Sequence, residues 1–157
     1  MQKNIDDLLT LQASLLVLEN KARNFHWSIR GHDFFPIHEE LGKLYEETTK
    51  KVDLVAEKIV MLNGYTNGSY EMTLEKSLIS KDVSMCVGNS AILPSSKELF
   101  KILQNDLKTI LEFVGKMENV SFRVQPILDE IILFLDMWLW KVSKSLELNS
   151  SCSCQGH

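Results

Sequence analysis

The chain has 157 residues, 45% of them hydrophobic and 24% charged, and its 17 basic residues against 21 acidic ones leave a formal net charge of -4. That is the composition of one globular domain, and its acidic balance, with a pI near 5.6, lacks the overall positive field that draws a protein to nucleic-acid phosphate. The apolar runs fall far short of the roughly 18 residues that cross a bilayer, and Met1-Gln2-Lys3-Asn4 leads into a polar, amphipathic stretch, so neither a membrane span nor a secretory signal is expected. Three cysteines, Cys86, Cys152 and Cys154, make a poor disulfide framework, which favours a reducing, cytoplasmic setting.

Leu8, Leu11, Leu15, Leu18, Ala22 and Phe25 recur by threes and fours, the stripe of a first helix over residues 4 to 29. Gly31-His32-Asp33 breaks it, with Asp33 placed to cap a second helix and Pro36 in the first turn, where a missing N–H does no harm. The stripe of that helix runs from Ile37 through Leu41, Leu44, Thr48, Val52, Val55 and Ile59 to Leu62, and Asn63-Gly64 supplies a left-handed residue to end it. From Asn63 to Pro94 the chain is rich in Gly, Ser and Asn, and only residues 73 to 79 (TLEKSLI) read as a short helix. Ser95 and Glu98 then form a capping box ahead of Leu99, Leu103, Leu107, Ile110, Val114 and Met117, a helix expected to end near Glu118 or Asn119. A last stripe, Leu128, Ile131, Leu135, Trp138, Val142 and Leu146, follows Pro126, a suitable first helical residue.

Short links between the first and last pairs of helices and a long connection between the middle pair match the bundle topology with one long crossover. The expectation is an all-α, ferritin-like four-helix bundle over residues 1–149 with a short helix in its crossover, followed by a flexible Ser/Cys tail at 150–157.

His26, His38, Asp53 and Glu57 stand off the apolar stripes of the first two helices, and imidazoles with carboxylates suit iron(II) with positions left for an oxidant. Asp53 and Glu57, four apart, share one helix face. His38 lies about 22 Å along the same helix from Asp53, beyond any coordination sphere, yet within about 60° of the same face. Two copies of the helix packed antiparallel about a two-fold axis would bring the His38 end of one beside the Asp53/Glu57 end of the other, giving two equivalent shared sites.

Asn24-Phe25-His26-Trp27, Arg30-Gly31-His32-Asp33-Phe34-Phe35, His38-Glu39, Leu44-Tyr45 and the run from Asp53 to Ile59 together resemble the signature of the Dps family, the miniferritins named for DNA protection in starved cells. The resemblance is strongest over residues 20 to 64. It implies a hollow homo-dodecamer that oxidises iron(II), typically with hydrogen peroxide and otherwise with dioxygen, at ferroxidase centres between subunits and stores the product as a ferric mineral against oxidative stress. His26 and His38 would come from one subunit and Asp53 and Glu57 from its two-fold mate. The family usually has an acidic residue one turn after the second histidine, and here that position is Gly42, which offers no ligand and costs about 1 kcal/mol relative to alanine in a helix. Glu39 and Glu46 are nearby but lack the family's spacing.

Other readings are weaker. DNA-binding members of the family carry lysine-rich termini, whereas this chain has Lys3 at one end and no lysine or arginine after Lys144, so strong DNA condensation is not expected. A ferritin with its centre inside one bundle needs carboxylates on the last two helices, which Glu112 and Asp129-Glu130 do not reproduce. A cage that has lost its chemistry would leave the four ligands at family spacing by chance. The Cys152-Ser153-Cys154 tail with His157 offers soft ligands for copper(I) or zinc, though an idle tail is the simpler reading. Trp27 is expected to shield the centre or pack at a subunit interface, Trp138 and Trp140 to serve core and interface, and His32 to cap the turn.

Overall fold

The computed structural model describes residues 2–80 and 95–147, and within them five helices: α1 (Gln2–Ser28), α2 (Phe34–Met61), α3 (Tyr70–Lys76), α4 (Ser96–Gly115) and α5 (Gln125–Leu146). No described helix is long and apolar enough to cross a membrane.

The stripes read from periodicity are the core. Leu8, Leu11, Leu15, Leu18 and Ala22 of α1 are sealed from solvent together with Leu44, Val55 and Ile59 of α2, Leu103, Leu107 and Ile110 of α4 and Ile131 and Leu135 of α5. Ion pairs and hydrogen bonds between the helices reveal their directions. Lys3 at the start of α1 meets Glu118 just past α4, while Lys21 meets Asp106, so α1 and α4 run antiparallel. Glu40, Glu47 and Lys51 of α2 meet Lys141, Trp138 and Glu130 of α5 in descending order, so that pair is antiparallel too. With α1 and α2 joined by a tight turn, α2 and α4 must point the same way, and their connection has to travel the length of the bundle. This is the physical need for the long crossover.

Polar side chains of α1 pin the start of that crossover. Gln12 Oε1 accepts from the Asn67 backbone N–H at 3.3 Å, Asn67 Nδ2 donates to the Leu9 carbonyl at 3.1 Å, and Ser14 Oγ accepts from Leu78 N–H at 3.0 Å. These bonds explain why α1 buries Gln12 and Ser14 alongside its leucines.

The ends of the helices refine the expectations. Ser95 and Glu98 close the capping box in both directions, and Asn63 adopts the left-handed conformation that ends α2, at φ 61°. Asp33 occupies the N-cap position of α2 but makes no side-chain cap bond; the turn is closed instead by Phe34 N–H donating to the Gly31 carbonyl at 3.1 Å, with Gly31 at φ 108°, a conformation open to glycine. The crossover helix lies three residues earlier than the TLEKSLI reading, because Ser69 caps it by accepting from Met72 N–H and Ser77 turns to extended backbone. α4 stops at Gly115 and α5 begins at Gln125, one residue before Pro126. The proposed tail, Cys86, Cys152, Cys154 and His157 fall outside the described residues.

Inside the bundle, Lys21 Nζ of α1 and a carboxylate oxygen of Asp106 on α4 lie 2.7 Å apart with side chains only 2% and 4% exposed. Burial pushes the Asp106 carboxyl above its usual range, against the opposing pull of Lys21.

Candidate metal centre

Phe25 is buried in the core near the end of α1, which sets the next residue, His26, facing the first turns of α2. The tight turn returns the chain so that His38 lies against it. The two imidazoles stack, with ring centroids 3.7 Å apart and planes 19° from parallel. Each ring reaches the other's backbone: His26 Nδ1 lies 2.7 Å from the His38 carbonyl and His38 Nδ1 2.8 Å from the His26 carbonyl. A carbonyl only accepts, so each Nδ1 carries a proton, and the tautomer this selects is the one that presents the Nε2 lone pair to a ligand. The His26 carbonyl is one of the last four of α1, which have no partner within the helix, so His38 also satisfies a helix end.

A column of aromatic rings holds this pair. Phe34, one turn before His38, stacks on it at 4.8 Å, and Tyr45 presents an edge contact to His26 at 5.3 Å, itself covered by the Arg23 guanidinium at 5.0 Å. Beneath the His26 ring lies Gly42, where a Cβ would sit 3.4 Å from Cε1 and 3.5 Å from Nδ1. Gly42 thus gives His26 a bare patch of helix to rest on. Those distances are ordinary van der Waals contact, so the seat admits a Cβ.

The ring geometry limits the coordination. An imidazole lone pair lies in its ring plane, and an ion about 2.1 Å from one nitrogen in that plane stays well off the nearly parallel plane of the other ring. In this arrangement the two rings could not share one ion, and as ligands they would belong to two separate ion positions.

Asp53 and Glu57 project from the exposed face of α2, and neither makes a side-chain hydrogen bond or ion pair among the described residues. The structure therefore brings His26 and His38 together and leaves the carboxylate pair more than half the length of α2 away. Among the described residues of one chain, no group of three or more His, Cys, Asp or Glu side chains could hold a metal ion. The bundle interior carries the Lys21–Asp106 pair, Glu112 is outside with Lys116, and Glu130 is taken by Lys51.

Sequence reasoning named the two histidines but missed what orients them. Phe34 was legible, since four residues before His38 puts it on the same helical face; Tyr45 and the seat at Gly42 depend on how α1 and α2 pack. Trp27 is 69% exposed beside the centre and Trp138 is buried with its Nε1 donating to Glu47 at 2.7 Å. Exposed His32 lies 3.3 Å from the Asp33 carboxylate.

Residues 5–121 match the family model of the ferritin-like domain. A DNA protection during starvation protein from Porphyromonas gingivalis is 30% identical over 112 residues, 71% of this chain and 70% of that one. The chain belongs to the Dps branch of the ferritin-like family. The crystal structure of a Dps protein from Bacillus brevis is similar at 25% identity and a TM-score of 0.72, covering 93% of this chain and 97% of that one. A Dps protein from Vibrio cholerae, described as one of a broad superfamily of ferritin-like diiron-carboxylate proteins, matches at 25% identity and a TM-score of 0.68 over 93% of this chain and 90% of that one. For this Dps-family chain, the helical bundle and its single long crossover are thus the family's fold.

Proposed function

We propose that this Dps-family protein binds iron(II) and oxidises it, preferentially with hydrogen peroxide, at centres shared between two-fold related subunits, and holds the ferric product inside a hollow homo-oligomer, a dodecamer by family resemblance. The observation that carries this reading is the reciprocal lock of His26 and His38, which engages both Nδ1 atoms and leaves the two Nε2 atoms as candidate donors, while Asp53 and Glu57 stand uncommitted further along the helix that carries His38. Neutral imidazoles accept iron(II) without adding charge, and the carboxylates interact more strongly with the ferric product than with the ferrous substrate. Two iron(II) ions each give one electron to peroxide, which takes up two protons and leaves as two waters, so no hydroxyl radical is released. The scattered lysines, interspersed with Asp and Glu, leave DNA binding outside this reading.

An anaerobic ferrous titration followed by a peroxide pulse tests it. Wild type is expected to oxidise its bound iron rapidly, and His38→Ala and Asp53→Ala each to lose the rapid phase; equal behaviour of all three would refute the reading.

Gly42 supports a second reading, a cage of weakened ferroxidase activity, because the turn after His38 contributes no donor to one of the two ion positions. Gly42→Asp is expected to fold, since the space admits a Cβ, and to raise the number of iron(II) ions bound tightly per centre. Calorimetric stoichiometry checks this: an unchanged stoichiometry would show that one position never depended on that residue.

A further inference from the structure

This inference rests on the shared-centre reading and concerns what aligns the two subunits. At about 100° per residue, Glu46, Lys50, Asp53 and Glu57 fall within an arc of about 60° on α2, and all four are exposed. Glu46 and Lys50 make no ion pair or side-chain hydrogen bond among the described residues, although four-residue spacing would allow one within the helix. Their neighbour Lys43 is different: it is held by Glu39 and Glu40, each at 2.8 Å.

If His38 of one subunit meets Asp53 and Glu57 of its mate, an antiparallel pair of α2 helices must cross at about residue 46 or 47, midway between the ligands. At that crossing, Glu46 of each subunit would face Glu46 of the other. A like-charge contact there would oppose the very register the centre needs. Lys50 resolves it, for it lies only about 5–6 Å further along the helix, within reach of a lysine side chain. The same register sets Lys43 opposite the partner's Lys50, but the two glutamates around Lys43 already balance its charge.

We propose that Glu46 of each subunit forms an ion pair with Lys50 of the partner subunit, and that these two reciprocal bridges set the register at which the metal centre closes. The surface is self-complementary, its occupant a second copy of this chain.

Charge reversal tests the proposal on the full-length protein. Glu46→Lys and Lys50→Glu are each expected to weaken anaerobic iron(II) binding about ten-fold at low salt and to shift sedimentation toward smaller species, because each clusters like charges at the axis. The double swap Glu46→Lys/Lys50→Glu is expected to restore both readouts, a recovery that a general loss of folding would not show. The proposal is overturned if the single reversals leave binding and assembly unchanged, or if the double swap fails to recover them. His38→Ala and Asp53→Ala in the same titration read the centre itself: if they leave iron(II) binding intact, the shared-centre reading fails and the register proposal with it, whereas loss of binding in them with no effect of charge reversal removes the register proposal alone.

Discussion

Co-expressing His38→Ala chains with Asp53→Ala chains is expected to recover peroxide-driven iron oxidation that neither variant has alone. In a dimer containing one of each, one centre combines both defects, but the other draws intact histidines from the Asp53→Ala chain and intact carboxylates from the His38→Ala chain. Random pairing makes half of the dimers mixed, so about a quarter of all centres should be whole. A centre built within one chain predicts no recovery, since every chain then carries a defect. Stopped-flow amplitudes of the rapid phase, compared between the mixture and each homogeneous variant, distinguish the two. The test is sharp because of a distance: about 22 Å of straight helix separates His38 from Asp53, and no side-chain rotation closes it.

Most of the fold was legible because burial in a bundle imposes a period. Each long helix that the leucine and isoleucine spacing marks is present, and the capping box at Ser95 and the left-handed Asn63 stand where the local chemistry puts them. The crossover was harder to read. Its short helix begins at Tyr70, set by Ser69 and by bonds from Asn67 and Leu78 back to α1, and those partners are more than fifty residues away in the chain. Asp33 shows the opposite failure: a good capping residue in the right place whose bond is not made, since the turn at Gly31 already closes the backbone.

The candidate centre was half legible. The identities and spacing of His26, His38, Asp53 and Glu57 suggested a site divided between subunits, and the two histidines do meet while the carboxylates stay apart. What spacing could not reveal is the tautomer, which comes from each Nδ1 reaching the other residue's carbonyl. Nor could it show that Gly42, expected only as a missing ligand, is the surface on which His26 rests. Both follow from the angle at which α1 and α2 pack, a tertiary quantity.

Lys21 and Asp106 gave no signal in the sequence, and their substitution is expected to have the largest effect on stability. Lys21→Met leaves the Asp106 carboxylate buried without a counter-charge, a situation that costs about 3–5 kcal/mol. Replacing both, as Lys21→Met/Asp106→Leu, removes two desolvated charges together and is expected to return stability to the wild-type level or above it, because burial already outweighs Lys21 in setting the Asp106 pKa. Denaturant titrations followed by far-UV circular dichroism measure both. The pH dependence supplies a second check with a definite sign. A carboxyl whose folded pKa is raised binds its proton more readily in the folded chain, so the stability linked to it is present at low pH and lost as pH rises through that folded value. The loss of Lys21 raises the Asp106 pKa further, and the deficit of Lys21→Met should therefore shrink on acidification toward the carboxylate range, while the double variant shows no such trend. A deficit that failed to shrink with acid would mean that Lys21 does not favour the ionised form of Asp106.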